Sequence, residues 1–459
     1  MPSSKGASEG WAATARAILA YGLRAPGSRL YNPPIMSQRI VAILACAALS
    51  AACIPSAAPE PTPAPATATQ PVAPFLTPEP TPQAPERRLT LWLAPEFAPS
   101  PDTAAGQLLA DRLAAFAAAN PGLTIQTRVK ARRGQAGLLE TLTAASLVAP
   151  NSLPDLITLD REAMHAAAVK AMIIPLETIR AAPASPEWSE HAVLASQVDG
   201  TPFGLPLASE ADVLAYRADI YGSAPDAWSQ VLNGPKPFVF PANDPSAEFT
   251  LGQYLALGGP LLDASGRPNL AIGPLTDVLA YYDALHDTGV LPLSSTQMTT
   301  SIESWAAVRD GRAASAAAPL SAALPSLDNQ RLAAAPFPGR SVPGTTLLRP
   351  WSWSVVTRDP SQQRLASQLM DWLSQPEFLG AWTHALGLLP PTPEALQAWP
   401  DAEDAMLASS LLDSAQLVPE PDLLAILGPV LQEAALAVIS SRSSPQDAAA
   451  AAVEAVHNP

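Results

Sequence analysis

The residues of this chain best equipped for chemistry are a few carboxylates and indoles: Glu96, Asp160 and Glu210, with Trp92, Trp305, Trp351 and Trp353. Two carboxylates held about 5–10 Å apart with separated pKa values could cleave a glycosidic bond, but sequence does not supply that distance. Other catalytic signals are missing. Beyond Cys53 the chain has no cysteine, and its five histidines (165, 191, 286, 384, 457) show none of the close pairings of a metal site. No nucleophile elbow or phosphate loop occurs either. The residues point to recognition rather than reaction, with no cofactor and no metal.

These side chains depend for their placement on the strands and helices that carry them. RLTLWL (88–93) is an apolar run with strand character, and it carries Trp92 just ahead of Glu96. Leu109, Leu113 and Phe116 recur at helical spacing, and Asn120-Pro121-Gly122 ends that helix. LTIQTRV (123–129) alternates as a second strand, 137–147 reads as a helix, and 154–159 reads as a third strand leading into Asp160-Arg161. Strand, helix, strand, helix, strand predicts an α/β fold of parallel units with helices on both faces. In such sheets ligands sit beyond the carboxyl ends of the strands, where 92–96 and 160–161 fall. Further on, 238–240 is a short strand, 276–286 and 361–373 are amphipathic helices, and 347–356 is a strand region. Alternation in that strand predicts that Trp351 and Trp353 share a face. The last 60 residues read as Ala-rich helices, with Pro445 near the start of the final one.

The N-terminal residues read as an address. From Met36 the chain runs MSQRIVAILACAALSAAC: one positive charge, an apolar run too short to span a bilayer, then small residues before Cys53. Ser50-Ala51-Ala52-Cys53 resembles a bacterial lipobox, which implies lipidation of Cys53 and anchoring on the extracellular face of the membrane. Ile43-Leu44-Ala45-Cys46 is a weaker match, and an ordinary secretory signal cleaved at an Ala-x-Ala-like site is the alternative. Residues 1–35 read as an upstream extension, and 54–86, rich in Pro, Ala and Thr, as a semi-rigid spacer. Residues 1–53 hold five basic side chains and one acidic. The remainder carries 21 basic and 40 acidic, a formal charge of −19. Such a balance disfavours nucleic acid and electrostatic attachment of the whole body to anionic lipid.

The body from 87 to 459 resembles the extracellular solute-binding proteins of carbohydrate-type ABC importers, the class that includes maltose-binding protein. The opening strand, the helix ending FAAANPG (116–122) and LPDLITLD (153–160) are similar to that family's first strands. TPFGLPLASEADVLAYRAD (201–219) resembles its first crossing between lobes. Trp228 falls at a threshold-tryptophan position, and Trp305 with VRDGRAA (308–314) resembles a later helix and turn. The segment 314–327, nearly all Ala, Ser and Leu, departs from the family pattern and leaves the second lobe's ligand contacts unassigned.

The resemblance implies a two-lobed periplasmic-binding-protein-like fold of type II, with lobe one at 87–208 plus 335–382 and lobe two at 209–334 plus 383–459. It implies a monomer that captures a small solute by cleft closure and delivers it to the transmembrane subunits of an ABC permease. A sugar presents an apolar ring face and a hydroxylated edge, which calls for aromatic platforms beside carboxylates or amides. The residues expected at the ligand are Trp92, Glu96, Asp160, Glu210, Tyr216, Asn243, Trp305, Trp351 and Trp353. The same indoles also suit core packing, and Trp372 and Trp382 are assigned to the core. A peptide or polyamine receptor of the same fold, or an anchored sensor without a transporter, are the alternatives.

Overall fold

Apolar alternation in the opening residues builds the first strand of a sheet. β1 (Arg87–Leu93) buries Leu89, Leu91 and Trp92, and it pairs in parallel with β2 (Leu123–Val129) from Arg87↔Leu123 to Leu93↔Val129. The computed structural model describes residues 87–184, 187–328, 330–340 and 344–457. The extension, the signal and lipobox with Cys53, and the spacer read from the sequence lie outside the described residues. The described residues belong to one compact unit, Glu79–Pro459.

Between β1 and β2 runs α1 (Ala104–Ala119), started by the Thr103 side chain accepting from the Gly106 N–H. Leu109, Leu113 and Phe116 are all buried on its inner face. Gly122, at φ 77°, makes the tight return into β2, a conformation that a Cβ disfavours. α2 (Leu138–Val148) leads to β3 (Leu156–Asp160), which lies parallel on the other side of β1, and α3 (Arg161–Val169) follows at once.

A small hairpin, β4 (Gln197–Val198) with β5 (Thr201–Pro202), precedes the long β6 (Leu205–Arg217). The remaining strands are β7 (Phe238–Val239), β8 (Ser315–Pro319), β9 (Leu332–Ala335), β10 (Thr346–Val355) and β11 (Ala415–Leu417). The main sheet runs β2-β1-β3-β10-β6-β8-β7, with β11 added on β10 and β9 on β6. β8, drawn from the featureless Ala-Ser segment, is buried along its whole length. Small side chains suit that position, pressed between two packed layers.

β6 and β10 are the two strands that cross the molecule. The first half of β6 pairs antiparallel with β10, from Leu205↔Trp353 to Ala211↔Leu348; its second half, from Asp212, pairs with β8 and β9. Apolar packing divides at that point. One cluster takes Leu89 to Ala208 with Trp351 to Ala395, while Phe337 and Leu347 pack in a second cluster and Leu348 in a third, each with residues of 211–456. The final helices, Pro421–Ile439 and Pro445–His457, bury Leu431, Val438, Ala449 and Val456 in the second cluster. Helix Pro421–Ile439 is long and apolar enough to cross a membrane, but it is amphipathic in place, with Leu427, Leu431, Ala435 and Ile439 turned into that core.

Candidate functional site

Where the first and second clusters face each other, a cavity of about 520 Å³ opens beyond the C-terminal end of β3. One wall comes from the turn after β2 (Arg132, Arg133) and the start of α3 (Asp160, Arg161, Glu162). The crossing strands supply the floor, Glu210 from β6 and Arg349-Pro350-Trp351 from β10. The other wall is Pro245, Ser246 and Glu248 together with Val418, Pro419 and the first turns of helix Pro421–Ile439.

The strand register explains why these groups converge. Trp351 sits opposite Asp160 of β3 and Ala208 of β6, and Arg349 sits opposite Glu210. The edge of Phe97 packs on the Trp351 ring, centroids 5.3 Å apart. The Arg132 guanidinium stands 5.0 Å from that ring, held by Glu96, whose Oε1 accepts from Arg132 Nε at 2.6 Å. A cation beside an indole face is attracted by the ring quadrupole, so Glu96 acts on the cavity through Arg132.

Asp160 caps α3: its Oδ1 accepts from the Ala163 N–H at 2.8 Å. Arg133 bonds Glu162 at 2.5 Å and lies 3.9 Å from Asp160. From α3, Arg161 donates to the Val418 carbonyl at 2.9 Å and pairs with Glu420, tying the two walls together.

Beneath the floor lies a charge network. Arg349 donates to Asp212 Oδ1 at 2.7 Å and pairs with Glu248. Glu210 accepts from the Ser321 hydroxyl and, at 3.3 Å, from its N–H. Burial opposes the charge on Arg349, but Glu248, Asp212 and Glu210 outweigh it and hold its pKa well above the usual arginine value. Burial raises the pKa of Glu210, Glu248 and Asp244 above the ordinary carboxylate range, against the pull of Arg349.

Of the residues expected from sequence, the cavity brings together Asp160, Glu210 and Trp351. Trp92 is buried in the first cluster with the Lys130 amine 5.1 Å from its ring. Trp353 does not line the cavity: it lies two residues deeper along β10, whose pairing with β3 runs unbroken from Trp351↔Asp160 to Val355↔Leu156, and its indole is enclosed in the first core. Trp305 packs in the third cluster, and Tyr216 packs edge-on against Tyr221 at 5.8 Å. Asn243 stands behind the wall: its side chain accepts from Gln432 Nε2 at 3.0 Å, fixing the 243–246 turn to helix Pro421–Ile439.

Sequence reasoning missed Arg132, Arg133, Glu248 and the 418–429 wall as cavity residues. The arginine pair carried a signal, since it closely follows the carboxyl end of a parallel strand. The 418–429 wall carried none, being Pro, Leu and Ala. Among the described residues, no group of three or more His, Cys, Asp or Glu is arranged to hold a metal ion.

Residues 111–408 match the family model described as bacterial extracellular solute-binding protein. A sequence search among curated proteins finds no match. Several solved structures share the fold. One is the GacH receptor of Streptomyces glaucescens, solved unliganded and with acarbose (16% identity, TM-score 0.61, covering 81% of this chain and 97% of that one). Another is the cyclic alpha-maltosyl-1,6-maltose binding protein of Arthrobacter globiformis (16%, 0.64, 82% and 99%). A third is the sugar-binding protein MalE of Xanthomonas citri (19%, 0.63, 81% and 97%).

Proposed function

This chain belongs to the bacterial extracellular solute-binding proteins, and on that premise we propose that it captures a carbohydrate in the 520 Å³ cavity and delivers it to the permease of an ABC importer. The family is one of binding proteins, so the solute is held rather than transformed. In this reading the body is a monomer of two lobes, near the limits expected from sequence except that 337–348 goes with the second lobe and Ala385, Leu386, Leu388 and Ala395 pack with the first. β6 and β10 are the hinge strands, and closure of the lobes on the solute makes the form that the permease recognises. Lipidation of Cys53, with 54–86 as spacer, holds the body at the outer face of the membrane.

The observation that carries the carbohydrate reading is the composition of the cavity wall. It has one indole platform, Trp351, and charged side chains that cancel: Arg132, Arg133, Arg161 and Arg349 against Asp160, Glu162, Glu210 and Glu248. A polyamine would call for a surplus of acids. A neutral polyol is served by paired charges that offer both donors and acceptors along the wall, and by an apolar face for its ring. The GacH receptor solved with acarbose and the cyclic alpha-maltosyl-1,6-maltose binding protein share this fold and support the same class.

A thermal-shift screen of residues 87–459 tests this, using mono- and oligosaccharides beside amino acids, peptides and polyamines. The expected result is a concentration-dependent rise in Tm with one family of sugars. A rise with a polyamine or peptide alone would overturn the carbohydrate class and leave the receptor fold standing.

A further inference from the structure

The end of the body opposite the cavity has a composition of its own. β3 runs from that end toward the cavity at Asp160, and a chain of contacts fixes which residues share its start. Asp155 N–H donates to the Thr90 carbonyl at 2.8 Å, and Val356 N–H donates to the Asp155 carbonyl at 3.0 Å. Gln362 Nε2 donates to the Arg88 carbonyl at 2.7 Å, and Arg358 Nη2 donates to the Ala171 carbonyl at 2.7 Å. Beside Ala171, Met172 Sδ lies 3.7 Å from Thr143 Oγ1 and 4.0 Å from Ser146 Oγ, which brings in the end of α2.

Two kinds of side chain project from this end. Leu147, Val148 and Val169 are 79%, 83% and 70% exposed, among the most exposed large apolar residues described. The same end carries the exposed cations Arg87, Arg88, Lys170, Arg358 and Arg364. Two acids lie within the network: Asp155, partly buried, accepts from the Thr90 N–H, and the exposed Asp359, held below the usual carboxylate range first by the Ser361 hydroxyl, keeps its negative charge near Arg364, leaving the five cations in excess. Exposed aliphatic side chains and cations on one end match a surface that is apolar beneath and anionic above.

We propose that this end is a membrane-resting face that lies on anionic lipid, with Leu147, Val148 and Val169 entering the headgroup region and the cations of the same end facing lipid phosphate. The chain itself favours that occupant, because it enters the described body at Arg87, on this same end, from the segment that follows Cys53. The strong acidity of the whole molecule helps to select the orientation, since a body with a large negative surplus is repelled by the bilayer everywhere but at its basic end. Resting so, the protein turns its cavity to the medium for capture and must rotate to meet a permease. The inference concerns a second surface and stands independently of the solute class.

The test is sedimentation of unacylated residues 87–459, which bury the three large apolar clusters among themselves, with vesicles of phosphatidylglycerol or phosphatidylcholine. Expected are binding to phosphatidylglycerol that weakens with added salt, and little binding to phosphatidylcholine. Lys170→Ala and Arg364→Ala each lower the partition coefficient about fivefold, and Leu147→Ser with Val148→Ser lowers it at every salt concentration. All of these side chains are exposed, and an unchanged thermal unfolding curve confirms that each variant folds. Absence of binding to phosphatidylglycerol, or binding that these variants leave unchanged, overturns the proposal. Absent vesicle binding combined with impaired solute uptake by cells carrying the same variants also overturns it, and assigns the face to a protein contact.

Discussion

At Trp351 the edge of one aromatic ring and a guanidinium both meet a single indole, and the indole still borders the cavity. A ligand resting there loses its platform when the ring is removed, so Trp351→Ala weakens solute binding more than about tenfold by calorimetric titration; the ring is only 3% exposed in the first core, so the same change also costs about 3–5 kcal/mol of stability. Arg349 answers for three carboxylates at once. Arg349→Met leaves Asp212, Glu210 and Glu248 without their counter-charge and destabilises the protein by about 3 kcal/mol, measured by denaturant unfolding. The sign of the pH effect follows from the raised pKa values of Glu210 and Glu248. In the window just above the ordinary carboxylate range, the folded state binds more protons at these groups than the unfolded chain does. Their contribution to stability therefore rises as pH falls through that window. Glu210→Gln removes part of that rise, seen as a flatter Tm against pH between neutrality and pH 5. Asp160 was legible as a cavity residue because strand ends are where α/β sheets place ligands, Glu210 from its place near the expected hinge, and Trp351 as an aromatic platform. Trp92, Trp305 and Trp353 were not separable from them, because an indole on a strand or helix is core or platform according to what covers it, and that is decided by segments far away in the chain.

Elements carry the next constraint. Helix Pro421–Ile439 approaches the 245–246 turn so closely that a Cβ on Gly428 would lie 2.4 Å from the Pro245 carbonyl oxygen and 3.1 Å from Ser246 Cα. Both partners line the cavity, so Gly428→Val shifts one wall; it costs about 1–3 kcal/mol in stability and weakens solute binding, checked by unfolding and titration of the same sample. The opening β-α-β-α-β run, the strand at 346–355 and the helix at Pro360–Leu373 followed from hydrophobic period and from breakers such as Pro121-Gly122. Two features of the crossing strands did not. The register shift at Trp351/Ser352 depends on how β10 lies on β6, and the wholly buried β8 is built of Ala and Ser, whose pattern gives no period to read. The 418–429 wall was hidden for a related reason: its Pro, Leu and Ala residues carry no polar signal and reach the cavity only through the packing of the last helices.

At the scale of the molecule, the fold and the family agree with the order of segments along the chain, although no single segment was specific. What made the architecture readable was a consistent series of strands and helices spanning 87–459. The charge balance read from the whole chain was less informative about surfaces, because it averages an acidic body with a basic end. The central claim is that the cavity on Trp351 is a carbohydrate site whose closure brings the two walls together. The most direct measurement is the tryptophan fluorescence of residues 87–459 titrated with the sugar selected by thermal shift, run in parallel on Trp351→Phe and on Trp353→Phe. A saturable change is expected that disappears in Trp351→Phe and persists in Trp353→Phe, whose ring does not border the cavity. A saturable change that survives loss of Trp351 unaltered would contradict it and place the solute elsewhere.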